Sequence, residues 1–210
     1  EALETITTLV QMRRSAASVR FVITVKNYET EKLSVSIQSV LRQIDPAWEI
    51  ILCGDDKSQS KILEWLDIDW RIRRIPDAVG SNEVLNFLNA SSIATTHFMG
   101  ILTEGDSVDD ELVKRISQKL AAEPALDLIY TDETCLENGD SVSTPFFKPD
   151  WSPEHQHSVN LLGRFLAVRK SLVLNLDFDS TGSAEADEYL LGLITSEKAL
   201  HIAHIEDVMY

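Results

Sequence analysis

The stretch Met99–Asp110, MGILTEGDSVDD, runs from an apolar segment into acidic and small residues. Phe98, Met99, Ile101 and Leu102 read as a buried strand, and Thr103, Glu104, Gly105, Asp106 and Ser107 follow it. Carboxylates at the carboxyl end of a parallel strand lie where α/β enzymes place metal and nucleotide ligands. Glu104 and Asp106, two residues apart, offer oxygen donors of the kind hard cations require. An acidic turn without chemical duties is the alternative. Asp55 and Asp56 follow a second apolar run, Trp48–Cys53, and Asp132 and Glu133 follow a later one, Leu126–Thr131. The latter pair faces the same end as Asp106. His155 and His157 would share one face of a strand, but the surrounding prolines argue against a strand there. His97, His201 and His204 read as strand-edge residues. No glycine-rich phosphate loop and no nucleophile elbow are present.

These groups need elements to hold them. Arg20–Val25, Trp48–Cys53, Trp70–Ile75, the run His97–Leu102 and Leu126–Thr131 read as five strands. Between them, apolar residues recur at helical spacing: Leu33, Ile37, Val40, Leu41 and Ile44; Ile62, Leu63, Trp65 and Leu66; Val84, Leu85 and Leu88, capped by Ser81 or Asn82; and Leu112, Val113, Ile116 and Leu120. Asp109 and Asp110 favour the start of the last of these, and Pro124 stops it. Alternating strands and helices predict an α/β fold, a mostly parallel central sheet with helices on both faces. The second half changes character. Glu137–Asp140 suggests a hairpin, FFKPDWSP an irregular segment with Trp151 as a packing anchor, Phe165–Val168 a strand, Tyr189–Ile194 a helix and Leu200–Ile205 a late strand. Residues 1–14 read as an amphipathic helix.

The 210 residues are enough for one domain with a real core. A formal charge of −15, from 19 basic and 34 acidic side chains, disfavours nonspecific binding to nucleic acid or anionic lipid. A phosphate ligand would need a divalent cation or a local Lys or Arg. No apolar run is long enough to span a bilayer. Cys53 and Cys135 fit two reduced thiols of a cytoplasmic protein, without zinc-site spacing. The absence of an initiator Met suggests a piece of something longer.

Taken together, DLIYTDE (Asp127–Glu133), PFFKPDWSP (Pro145–Pro153) and NLLGRFLAVRKSLV (Asn160–Val173) give the chain a resemblance to family 2 glycosyltransferases of the GT-A fold. It is most similar to the bacterial rhamnosyltransferase-like and O-antigen-type members. The resemblance covers residues 20–210 and leaves residues 1–19 as an N-terminal helical extension. It implies transfer of a sugar, with inversion, from a nucleotide-sugar donor to a glycan acceptor hydroxyl in surface-polysaccharide synthesis. It also implies a bound Mn²⁺ or Mg²⁺ on the diphosphate, a carboxylate base, and a cytoplasmic location, at the inner membrane face or away from it. Such domains usually run on past a point matching Glu206–Tyr210, which suggests further domains of a longer protein.

The resemblance assigns residues one motif at a time. Val25, Lys26 and Asn27, with Thr24, match the loop that lines the nucleotide base, but its proline and tyrosine are missing. Lys26 reaches a phosphate or base edge in one reading and is a solvated loop lysine in the other. Asp55 and Asp56 match the two acids of the nucleotide-binding motif, of which Asp55 is the expected contact to the base; an Asp-rich turn is the alternative. Asp132 and Glu133 border the donor and acceptor cleft or order the hairpin after them. Thr103–Asp106 occupies the Asp-x-Asp-Asp position, so the metal would rest on Glu104 and Asp106 after a one-residue shift. Glu185 aligns with an acid, while Ala186 stands where the base is expected. Asp187 or Glu188 would then serve, although one residue turns a helical side chain by about 100°. Scaffold motifs thus stand nearly intact while site motifs are altered. That pattern keeps a second reading open: a catalytically inactive module serving as a scaffold or binding a glycan or partner.

Overall fold

A computed structural model describes residues 19–25, 30–54, 59–75, 81–92, 97–137, 141–142, 145–174 and 176–210. The expected N-terminal helix, and the loop residues Lys26, Asn27, Asp55 and Asp56, lie outside these. Seven strands form one sheet: β1 (Val19–Thr24), β2 (Trp48–Cys53), β3 (Ile72–Ile75), β4 (Phe98–Ile101), β5 (Leu128–Asp132), β8 (Leu166–Arg169) and β9 (Ile202–Val208), in the order β3-β2-β1-β4-β8-β5-β9. Strands β1, β2, β3 and β4 pair in parallel, as do β5 and β9. The α/β sheet expected from the sequence is present, with one antiparallel strand in its middle: β8 runs opposite to both β4 and β5. A small hairpin joins β6 (Leu136–Glu137) to β7 (Ser141–Val142).

The period-two pattern of the strands sorts the core into two layers. Val19, Phe21 and Ile23 of β1 point to one face and Val22 to the other; Ile50 and Leu52 of β2 join the first set, Ile51 and Cys53 the second. The first face is covered by α1 (Thr30–Leu41), α2 (Gln59–Leu66) and α4 (Leu112–Ala122). Leu33, Ile37 and Val40 of α1 and Leu112, Val113, Ile116 and Leu120 of α4 carry that contact, as their helical spacing predicts. Each fully buried Leu, Ile or Val there contributes about 1.5–3 kcal/mol relative to exposure. The second face is covered by α3 (Glu83–Ser92), α6 (Lys170–Val173) and α7 (Ala184–Lys198), through Val84, Phe87, Val173 and Leu191.

Two local devices fix helix positions. The start of α4 has no cap from its own Glu111; instead the Gln43 amide accepts from Val113 N at 2.9 Å and donates to the Asp109 carbonyl at 2.5 Å. Gln43 thereby ties the end of α1 to the first turn of α4. At α3, Asn82 Oδ1 caps the helix by accepting from Leu85 N at 3.0 Å, one of the two caps expected.

The structure departs from the sequence reading in two places. The segment expected to be irregular ends in a helix, α5 (Pro153–Ser158), which Ser152 caps with Pro153 in its first turn. His155 and His157 are exposed on that helix, where residues two apart diverge. His204 lies on the edge strand β9 yet is no ordinary edge residue: it is 8% exposed, stacks on Tyr130 at 4.5 Å and sits 2.8 Å from Asp132 Oδ1. No helix among the described residues is long and apolar enough to cross a membrane.

Candidate functional site

The parallel strands β1, β2, β4 and β5 all deliver their carboxyl ends to one edge of the sheet. Because β8 is antiparallel, its entry loop, Gly163–Arg164, reaches that same edge. Residues before β8 and residues after β4 and β5 therefore meet.

The turn after β4 is held from three sides. Ser36 Oγ on α1 accepts from Gly105 N at 2.9 Å and lies 2.8 Å from the Asp106 carbonyl, to which it donates. Gly105 has φ +101°, a conformation that a side chain at this point would strain. Asp106 N closes the turn on the Thr103 carbonyl at 3.0 Å. Tyr210, two residues past β9, donates its hydroxyl to Asp106 Oδ2 at 2.7 Å and stacks on Phe165 at 5.7 Å. Burial, reinforced by Asp106, pushes the Tyr210 pKa well above its usual value, so the hydroxyl remains a donor. Arg164 Nη2 lies 3.4 Å from the same Asp106 oxygen.

This arrangement sets what surrounds Glu104 and Asp106. Asp106 Oδ2 already has a phenol and a guanidinium beside it, and Glu104 is 8% exposed. Among the described residues, no three His, Cys, Asp or Glu side chains converge as a metal centre. The partners of Asp106 Oδ2 are thus a hydroxyl donor and a cationic side chain.

The late helix separates its three acids. Glu185 is exposed. Asp187 is fully buried, and each of its oxygens takes two hydrogen bonds. Asn82 Nδ2 at 2.8 Å and Ser180 Oγ at 2.6 Å donate to Oδ2; Thr181 N at 2.7 Å and Thr181 Oγ1 at 2.8 Å donate to Oδ1. Burial alone would raise its pKa, but these donors outweigh it and hold the carboxyl at about 2. With Asn82 also capping α3, Asp187 clasps α7 to α3. Glu188 instead lines a shallow pocket with Arg164, Phe87, Leu166 and Gly192. Burial opposes the charge of Arg164; Asp106, Tyr210, Glu188 and Glu83 around it more than compensate and raise its pKa.

Asp132 and Glu133 brace the cleft from beneath. Asp132 is 2% exposed; its Oδ1 accepts from Lys148 N at 2.9 Å and contacts His204. Glu133 Oε2 accepts from Lys148 Nζ at 2.9 Å and from Arg164 N at 3.1 Å. Lys148 Nζ also donates to the Leu162 carbonyl at 3.0 Å. Gly163, at φ +71°, passes so close that a Cβ there would collide with both Glu133 and Lys148. Thus the motif residues Asp132, Glu133, Lys148 and Gly163 set the position of Arg164. Val25 is buried at the end of β1, its N–H donating to the Cys53 carbonyl at 2.7 Å. Trp151 is half-buried and packs against the second core layer.

Arg164, Tyr210 and Ser36 received no role from the sequence. Arg164 lies inside a quoted motif, and Ser36 stands among the apolar positions of α1, which was a usable signal. Nothing in the local sequence marks Tyr210.

No family model matches the chain. Over 179 residues it is 31% identical to the O-antigen biosynthesis protein RfbC of Myxococcus xanthus, an alignment covering 83% of this chain and 14% of RfbC. It is 26% identical over 208 residues to the uncharacterized protein y4gI of Sinorhizobium fredii, covering 96% of this chain and 23% of that protein. The chain therefore spans less than a quarter of the curated relatives it matches. Among solved structures it superposes on S. aureus TarS 1-349 in complex with UDP, with a TM-score of 0.72 at 16% identity, over 92% of this chain and 59% of that one. The complex of the same TarS fragment with UDP-GlcNAc gives 0.73 over 92% and 57%. The fold of this chain is similar to that of TarS, and most of its length is similar in sequence to one segment of an O-antigen biosynthesis protein.

Proposed function

We propose that this chain is a glycosyltransferase domain of the family 2, GT-A type. In this reading it moves a sugar from a nucleotide-sugar donor to a glycan acceptor hydroxyl, with inversion, in bacterial surface-polysaccharide synthesis. The observation that carries the reading is the pocket at the carboxyl edge of a TarS-like sheet, which Arg164 and Glu188 both line. Similarity to RfbC supports the polysaccharide context, and the UDP and UDP-GlcNAc complexes of TarS support the donor class.

In an inverting transfer the acceptor oxygen attacks the anomeric carbon from the face opposite the diphosphate. The carbon–oxygen bond to the diphosphate breaks, and the nucleoside diphosphate leaves with the electron pair. A base takes the acceptor proton. We assign that base to Glu188, because both oxygens of Asp187 are already committed and Glu185 stands outside the pocket. Val25, Lys26, Asn27, Asp55 and Asp56 belong, in this reading, to the loops that receive the nucleoside. Asp187 is a positioning residue that fixes the first turn of α7, and with it Glu188.

The test is acceptor-dependent release of nucleoside diphosphate from UDP-, dTDP- and GDP-sugars. We expect release from one donor class, reduced about 10²–10⁴-fold by Glu188→Gln, as loss of a general base requires. A well-folded sample that neither binds nor turns over any of the three overturns the reading and leaves a scaffold or glycan-binding module.

A further inference from the structure

We propose that Arg164, steadied by Asp106 and Tyr210, receives the donor's diphosphate in the place a divalent metal would take, so that nucleotide binding here needs no metal. This inference rests on the proposed function and adds to it the identity of the group that neutralises the leaving charge.

Three observations carry it. The first is charge. A chain of net charge −15 repels a diphosphate unless a cation faces it, and among the described residues lining the pocket Arg164 is the cation. The second is the state of Asp106. A carboxylate beside an incoming diphosphate is repulsive unless it is occupied, and Tyr210 and Arg164 occupy it at 2.7 and 3.4 Å. The third is the hold on Arg164 itself. Its backbone is fixed by Glu133 at 3.1 Å and by the close passage of Gly163, while 46% of its side chain remains exposed. Its 3.4 Å contact with Asp106 is longer than a charge-assisted hydrogen bond of about 2.7–2.9 Å. The guanidinium is therefore oriented without being saturated. Its planar fork of donors suits two phosphate oxygens at once. As the diphosphate leaves, its charge grows, and a fixed cation at this point stabilises the departing group more than the bound donor.

The experiment is calorimetric titration of the full chain with UDP, dTDP and GDP, in EDTA and in Mn²⁺, for wild type, Arg164→Ala and Arg164→Lys. Expected is binding of at least one nucleotide with a Kd that changes less than twofold between EDTA and Mn²⁺. Arg164→Ala should weaken it at least tenfold, with Arg164→Lys between the two. Melting curves for each variant accompany the titrations. If Arg164→Ala does not fold, Arg164→Lys and the salt dependence of wild-type binding decide, with a fall in affinity on raising KCl expected. Binding that appears only with Mn²⁺, or that Arg164→Ala leaves unchanged, overturns the inference while the glycosyltransferase reading stands. No binding of any nucleotide in either condition overturns both.

Discussion

Replacing Asp187 by Asn separates the two roles an acid at this point of α7 could have. The carboxylate accepts four hydrogen bonds, two on each oxygen. An amide offers one oxygen and turns an NH₂ toward two of the donors. With hydrogen bonds to charged groups contributing about 1.5–3 kcal/mol each and not adding, the loss at pH 7 should be about 3 kcal/mol. The pH dependence is sharper. The group has an ordinary value of 3.8 and is held at about 2 in the folded chain. As pH falls the unfolded chain takes up the proton first. The stabilisation is complete above about pH 4 and disappears as pH drops through the folded value. At about 1.4 kcal/mol per pH unit, that is roughly 2 kcal/mol. Urea unfolding of wild type and Asp187→Asn from pH 7 down to pH 2 measures it, and the other carboxylates cancel in the difference. The gap between the proteins should narrow by roughly 2 kcal/mol over the acid range. A variant as stable as wild type at pH 7, or a gap that ignores pH, would refute the clasp and return Asp187 to the candidates for the base.

Gly163→Ala should destabilise by about 3 kcal/mol in the same unfolding assay, because it adds positive-φ strain to a collision with Glu133 and Lys148. Gln43→Ala removes the only side chain seen to satisfy Val113 N among the described residues and should cost about 1–2 kcal/mol, with α4 amides near Val113 exchanging faster in hydrogen-exchange measurements. Thiol titration should count one reactive cysteine in the native protein and two after denaturation. Cys135 is exposed, whereas burial pushes the Cys53 thiol up to about 12.

The first half of the fold was legible because its signals are periodic and local. The buried face of α4 is the set Leu112, Val113, Ile116 and Leu120 read from spacing alone. Placing β8 between β4 and β5 was not legible, since nothing in FLAVR states which way the strand runs. Nor was the burial of Arg20: it opens an apolar strand, yet it is fully enclosed and paired with Glu49 of β2. The site shows the same division. Motif residues such as Asp132 and Gly163 were visible as letters, but their work is to hold Lys148 and aim Arg164, and that depends on contacts across the sheet. His204 reads from the sequence as a strand-edge residue, and only the pairing of β9 with β5 sets it against Asp132.

The hydroxyl of Tyr210 reaches Asp106 across 104 residues of chain, while Phe165 stacks on its ring and Thr134 N donates to its carbonyl. A contact across so long a stretch of chain carries a loop-closure entropy that the packing around it must offset. A nascent or partly frayed chain can thus build β1 to β4 and still lack a finished anion cradle. The anion cradle proposed around Arg164 is complete only when β9 is docked beside β5, because that pairing brings Tyr210 to Asp106.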